Sequence, residues 1–392
     1  MASVNNRIFY ACQAVGITPT GNSTELNPSG QMIHGLQSVG ITTNFNLEQA
    51  FELGQIEIYE NIEGTPDVEV TLEKVLDGYP LIYHMATSGE TFATGSSGLA
   101  ARSKARCDVT LGIFEEAENN IAGNSSTVEV AMTGMYVSSI SYNLSTDSNF
   151  TESVTLVGNN KQWLSRHADG GSMLISSNAA ADFDGNDSPN FGVAGAPEGG
   201  IQRREDFVLE GCILPVQMQG ITTNGYGNGT TANGNLVHLQ SVSVSTDFSR
   251  DDVLELGRKT PYYRPANFPI EVTCDIEAIT VSGDFVGAYE FGDPQFFAAA
   301  NSGDNLSNGT IFIITRNGYA WDLGDKNKIS SVSYGGGDAG GGNVTTTYSF
   351  TNFNELDVQD IKLVDGYVGK GFLKGESNST LVAPGSYDWA WV

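Results

Sequence analysis

LQSVGITTNFNLEQAFELG, from Leu36 to Gly54, returns later in the chain as LQSVSVSTDFSRDDVLELG, from Leu239 to Gly257. Aligned without a gap, nine of the nineteen positions are identical, and most of the others are mild exchanges such as Ile41/Val244 and Asn44/Asp247. Chance gives roughly one identity in such a window at ordinary residue frequencies. An internal duplication is therefore the first thing the sequence establishes. Each copy alternates with period two, as a half-buried strand does. Val39, Ile41, Thr43 and Phe45 fall on one face and are expected in the core, with Ser38, Gly40, Thr42 and Asn44 opposite. In the second copy Val242, Val244, Thr246 and Phe248 oppose Ser241, Ser243, Ser245 and Asp247.

The repeat extends outward from this stretch. Cys12 and Cys212 lie at similar distances before their Leu-Gln-Ser-Val. Tyr59/Tyr262, Pro66/Pro269, Glu69-Val70-Thr71/Glu271-Val272-Thr273 and Ser138–Tyr142/Ser330–Tyr334 follow in the same order. This predicts a first unit over 1–165 and a second over 201–392. Residues 166–200, rich in Gly, Asn, Asp and Ala, read as a linker or exposed insertion. The next strand alternates as well. Val68, Val70 and Leu72 oppose Glu69, Thr71 and Glu73, and Ile270, Val272, Cys274 and Ile276 oppose Glu271, Thr273, Asp275 and Glu277. A row of acids thus recurs on one polar face, and solvation of a sheet face is its simplest explanation. Helical signal is weak. LAARSKARCD after Gly98 is the best candidate, so one short flanking helix per unit is expected.

The chain has 392 residues, 47 of them Gly, and a formal net charge of -27. Short apolar runs between Gly, Asn and Ser clusters indicate a mainly β protein. The acid excess argues against a protein that grips phosphate, which needs clustered Lys and Arg. No apolar stretch reaches membrane-spanning length, and the N-terminus carries no secretory pattern. The four Cys are too scattered for a disulfide scaffold and are expected as buried thiols.

Catalytic and ligand motifs are hard to find. The four His have no metal-binding spacing, and neither a nucleophile elbow nor a Walker loop occurs. Gly335, Gly337 and Gly340 satisfy G-x-G-x-x-G, but between two strands, with no helix to meet a pyrophosphate. Asp182–Asp187 begins like a calcium loop and then lacks the required Gly and Glu. Hence no catalytic residue, cofactor or metal is expected, and a structural role is favoured over an enzymatic one.

LQSVGITTNFNLEQAFELGQIEIYENIEGTPDVEVTLEKVLDG, followed by YVSSISYNLSTDSNFTESVTLVGNNKQW, resembles the tail tube proteins of tailed bacteriophages. The resemblance implies two tandem β-sandwich or barrel domains, each with a flanking helix, in a structural protein of the virion tail assembled in the host cytoplasm. It also implies that three double-domain chains form a pseudo-hexameric ring. Stacked rings would then make a tube through which DNA passes without specific binding. Self-association and contacts with terminator, tape measure, baseplate or tip, and sheath proteins follow from the same resemblance, with no membrane partner. A channel for DNA should repel phosphate. Glu69, Glu73, Glu271, Asp275 and Glu277, or the polar row starting at Ser38 and Ser241, are the candidate channel lining. The hairpins Ser138–Leu156 and Ser330–Phe350 are candidate intersubunit contacts, with Gly335–Gly342 as a mobile tip. Two rival readings are a receptor- or carbohydrate-binding β-sandwich, hinted at by Trp389 and Trp391, and a polysaccharide hydrolase with a carboxylate pair.

Overall fold

The structure, a computed structural model, describes residues 8, 10–20, 31–54, 56–77, 81–88, 98–114, 126–165, 201–207, 209, 212–215, 218, 238–279, 286, 309–315, 319–335 and 342–360. The 166–200 segment, the Asp182–Asp187 run, Trp389, Trp391 and the glycine tip between Gly335 and Gly342 lie outside these residues.

The strands are β1 (Gln13–Pro19), β2 (Gln31–Met32), β3 (Leu36–Asn44), β4 (Leu47–Phe51), β5 (Ile58–Glu63), β6 (Asp67–Val75), β7 (Cys107–Ile113), β8 (Val128–Ser145), β9 (Thr151–Gly158) and β10 (Gln162–Ser165). They continue as β11 (Leu239–Asp247), β12 (Glu271–Ile279), β13 (Phe312–Ile314), β14 (Tyr319–Asp322), β15 (Lys328–Gly335), β16 (Thr345–Phe353) and β17 (Asp357–Asp360). Two short helices, α1 (Ile82–Ser88) and α2 (Leu99–Arg102), lie between β6 and β7. The protein is mainly β, as its alternating patterns predict. The predicted helix after Gly98 is α2, whereas α1 gives little signal because it has only seven residues, too few for the Ile82, Met85 and Ala86 spacing to stand out. Among the described residues the second half has no α-helix.

The long strand β8 organises the chain. Its first part pairs with β7 and β10, its second part with β9 and β11. Gly134 sits between these parts at φ +70, where the β7–β8 register also shifts. A left-handed backbone of this kind favours glycine and marks a bulge that redirects the strand. Beyond it runs one continuous antiparallel path of eight strands, β3-β6-β9-β8-β11-β12-β16-β15. β1, β2 and β7 extend the sheet beside the first part of β8, while β13-β14-β17 forms a separate small sheet.

The two halves of the eight-strand path repeat one another in order, register and irregularity. Leu36↔Lys74 steps through a bulge to Ser38↔Glu73, and Leu239↔Ala278 steps likewise to Ser241↔Glu277. Val137↔Leu156 steps to Ser139↔Thr155, just as Ile329↔Phe350 steps to Ser331↔Ser349. Between the halves β8 meets β11 in the register Ser145↔Ser241 to Ser139↔Asp247. The Ser138–Leu156 hairpin expected to reach a neighbouring subunit therefore spends its β8 edge inside its own chain.

One hydrophobic core serves both halves. Tyr142 of β8 meets Trp321 of β14 edge-on at 5.4 Å. Such a pair contributes about 1 kcal/mol beyond its buried area. His84 of α1 donates Nε2–H to the Val358 carbonyl of β17 at 2.8 Å, and burial lowers its pKa to about 3, keeping the ring neutral. All four Cys are buried free thiols.

The apolar face of the first repeat departs from expectation. Val242, Val244 and Phe248 are buried, but Val39 and Ile41 are only half-buried and Phe45 is 61% exposed. The cause is topological: β11 has β8 on its outer side, whereas β3 is paired only with β6 among the described strands.

Candidate functional site

Three surfaces of the eight-strand path could act on other molecules: its polar face, its two ends and its projecting arms. On the polar face, the five predicted residues Glu69, Glu73, Glu271, Asp275 and Glu277 stand at alternate positions of β6 and β12, and none is buried. Strand alternation and register put them on one side of one sheet. Glu73 heads a row that continues through Ser153, Ser141, Ser245, Thr273 and Thr351. Asp275 lies in a row with Asn143, Ser243, Ser349 and Ser331, and Glu277 in one with Ser145, Ser241, Thr347 and Ser333. The predicted row from Ser38 and Ser241 belongs to this same face. Ser38 Oγ donates to Glu73 at 3.3 Å, and Ser241 Oγ donates to Glu277 at 3.2 Å, the same bond in both repeats.

Hydroxyls and carboxylates dominate these rows. The one cation that the eight strands place on this face, among the described residues, is Lys328 at the β15 end. Lys74, on the opposite side, is fully buried against Asp77 at 2.6 Å. The face therefore presents a negative, hydrogen-bonding surface with little to neutralise a phosphate chain. The hydroxyls of β9 and β16 were not singled out in the sequence. Their common face becomes visible only once the strand order is known.

Among the described strands, the path ends at β3 and β15 without further partners. Comparison with the interior joint shows what these ends lack. Tyr142 in β8 is 1% exposed, and its counterpart Tyr334 in β15 is 53% exposed. Unpaired edges of this kind are templates for strand addition, and proteins that keep them do so for a partner or shield them.

Each repeat also sends out an arm between its first two path strands. β4 and β5 form the first, with Ala50↔Glu60 in register, and the Val253↔Tyr263 bridge marks the second at the same place. Gly54 and Gly257 turn the two tips at φ +94 and +91, where a side chain would be strained. Leu53, Ile56 and Leu256 at these tips are fully exposed, and Phe51 and Leu254 largely so. A cluster of apolar groups in water signals an unmade contact.

The root of the second arm clamps the interior joint. Phe248 donates its N–H to Ser138 O at 2.8 Å. Arg250 donates to three carbonyls: Val137 at 2.6 Å, Arg264 at 2.9 Å and Ser103 at 2.8 Å. Its guanidinium lies 4.9 Å from the Tyr136 ring centroid and 5.4 Å from that of Phe248. Burial lowers its pKa only to about 10, so it remains a cation at neutral pH. Arg264 adds an ion pair across the halves to Asp67 at 2.6 Å. Sequence reading missed Arg250 because the corresponding residue of the first repeat is Leu47. Arg250→Ala should cost about 2–4 kcal/mol through lost charged hydrogen bonds and ring contacts. Arg250→Lys should recover only part of it, since one ammonium cannot span the three carbonyls. Denaturant unfolding of the three proteins measures this directly.

Residues 13–77, the run holding β1 to β6, match the family described as the Phi812 tail tube protein. No curated protein matches the chain. Among solved structures, it is similar to the tube terminating cap of the anti-feeding prophage at 14% identity and TM-score 0.29, covering 42% of this chain and 95% of that one. It is also similar to a chain of the sheath-tube complex of the PVC extracellular contractile injection system, extended state, at 12% identity and TM-score 0.27, covering 41% and 94%. The likeness to a tail tube family thus lies over the first repeat's opening strands and first arm, where residues 13–77 are similar to the Phi812 tail tube protein.

Proposed function

We propose that the protein is a tail tube subunit, three copies of which close a ring around an acidic channel, and that stacked rings conduct DNA into a host. The observation carrying this reading is the eight-strand path: two repeats joined head to tail, polar and acidic on one face, and open at both ends. A head-to-tail joint that has been used once can be used again by another copy, and such heterologous contacts close into rings when the rotation permits. Ring closure removes both open edges. Glu69, Glu73, Glu271, Asp275 and Glu277 line the channel in this arrangement, and the formal charge of -27 per chain is tripled in each ring. Repulsion then keeps the phosphate backbone moving, where basic contacts would hold it. The apolar arm tips contact the next ring, and terminator, tape measure, baseplate and sheath proteins are the further partners.

Electron microscopy of the purified chain tests the ring. Stacked rings with threefold symmetry are expected, and monomers under all salt conditions would overturn the reading. The channel has its own test. Replacing the five acids by Lys should turn tubes that do not retain DNA into tubes that do. Retention should fall steeply with added salt, as counterion release requires. Equal DNA retention by both kinds of tube would remove these residues from the lumen.

A further inference from the structure

We infer that β15 of one copy adds to β3 of the next in one fixed register, Tyr334 opposite Ile41 and Ser333 opposite Thr42, locked by a Lys328–Glu60 ion pair. The inference rests on the ring reading and specifies its joint. Its template lies inside the chain, where β8 meets β11 with Tyr142 opposite Val244 and Ser141 opposite Ser245. β15 repeats β8, and β3 repeats β11, down to the position of their bulges. Carrying the interior joint to the open ends therefore fixes every pair.

The side chains at the ends agree with this transfer. Phe45, 61% exposed, corresponds to Phe248, which is 1% exposed beneath the interior joint. On docking, the Phe45 N–H meets the partner's Ser330 carbonyl, as the Phe248 N–H meets Ser138. Half-buried Val39 and Ile41 gain the cover that Val242 and Val244 already have.

The decisive pair stands at the arm root. In the interior joint Tyr136 of β8 meets Tyr263 of the second arm edge-on, centroids 6.2 Å apart. The corresponding residues at the open ends are Lys328 of β15 and Glu60 of the first arm. Both are exposed, and neither has an ion-pair partner among the described residues. An aromatic pair inside the chain is replaced by opposite charges between chains. The charges also discriminate: pairing two β15 ends would leave each Lys328 without a Glu60 to meet. Arg250, which clamps the interior joint, is replaced by Leu47, so the joint between chains lacks that three-carbonyl clamp and depends more on the ion pair.

The test uses the full chain. Thr42 and Ser333 are the partners that do not exchange backbone bonds, so their Cα atoms stand about 4.5 Å apart, within disulfide range. The native thiols are buried and do not compete. Thr42→Cys with Ser333→Cys should give covalent dimers and trimers on mild oxidation, whereas Thr42→Cys with Ser331→Cys, slipped by two residues, should not. Separately, Lys328→Glu and Glu60→Lys should each raise the concentration needed for assembly about tenfold, and the double exchange should restore it. Rings visible by microscopy but crosslinked equally in the slipped register, or no rescue by the double exchange, would overturn this joint and leave the ring standing. Absence of rings in the unaltered protein would overturn both.

Discussion

Thr43→Pro should leave the subunit folded and abolish ring formation, while Thr42→Pro, one residue away, should damage the fold itself. In β11 the even-numbered residues face β8, since Gln240 accepts from Thr146 and Phe248 donates to Ser138. Thr246 is among them, and its counterpart in β3 is Thr43, whose N–H therefore points outward from the open edge. Proline there removes a donor that the isolated subunit does not use, and its ring occupies the space of the incoming strand. The monomer loses only the bond from Lys161 to the Thr43 hydroxyl, 2.5 Å long, at a cost of about 1 kcal/mol. Thr42 points its N–H toward β6, so proline there breaks the ladder and should destabilise by on the order of 2–4 kcal/mol. Circular dichroism with denaturant melts reads the fold, and sedimentation velocity reads the assembly. Rings from the Thr43→Pro chain would show that β3 is not the joint.

Glu152→Ala should be strongly destabilising. The Glu152 carboxylate is fully buried in β9 and accepts from Ile82 N at 2.7 Å, Tyr83 N at 3.1 Å and the Tyr142 hydroxyl at 3.1 Å. It thereby holds the first turn of α1 against the sheet, as a side-chain cap holds helix N–H groups that have no partner within the helix. Removing it strands three buried donors, each costing about 1–3 kcal/mol, so a loss on the order of 3–9 kcal/mol is expected. Burial raises its pKa from 4.5 to about 7, against the three donors, which favour the anion. The folded state thus binds a proton that the unfolded state releases. This contribution is complete below pH 4.5 and lost as the pH rises through 7, about 3 kcal/mol in all. Glu152→Gln should flatten that slope in unfolding experiments between pH 4.5 and 7. An unchanged slope would assign the pH dependence to other groups.

Alternation of apolar and polar residues was enough to place β3, β6, β11 and β12 and to set their acids on polar faces. Burial was not legible in the same way. Val39 and Val242 sit in the same quartet, Leu-Gln-Ser-Val, yet one is half-buried and the other buried, because only strand order decides which copy has a neighbour on both sides. The arms were hidden for a related reason. Residues 45–63 carry Phe, Leu, Ile and Tyr that a local reading assigns to a core, whereas the fold extends them into solvent. The shared hydroxyl face required contacts between strands distant in sequence, and Arg250 stood where its repeat partner gave no hint. What the sequence did offer was the repetition itself, and with it the correspondence between Tyr136–Tyr263 and Lys328–Glu60.

The tandem arrangement also bears on how a ring would begin. Of the six joints around a ring of three chains, the β8–β11 joint is already made in every chain as it folds. Each body recruited to a ring gives up translational and rotational freedom worth several kcal/mol, on the order of 4–15 by various estimates. Tethering two repeats in one polypeptide would turn half of those encounters into intramolecular ones. Nucleation then depends on a meeting of three bodies and not six, so tubes can start at lower protein concentration. In such a ring the covalent link would also make the Arg250-clamped joint and the proposed Lys328–Glu60 joint alternate strictly around the circumference.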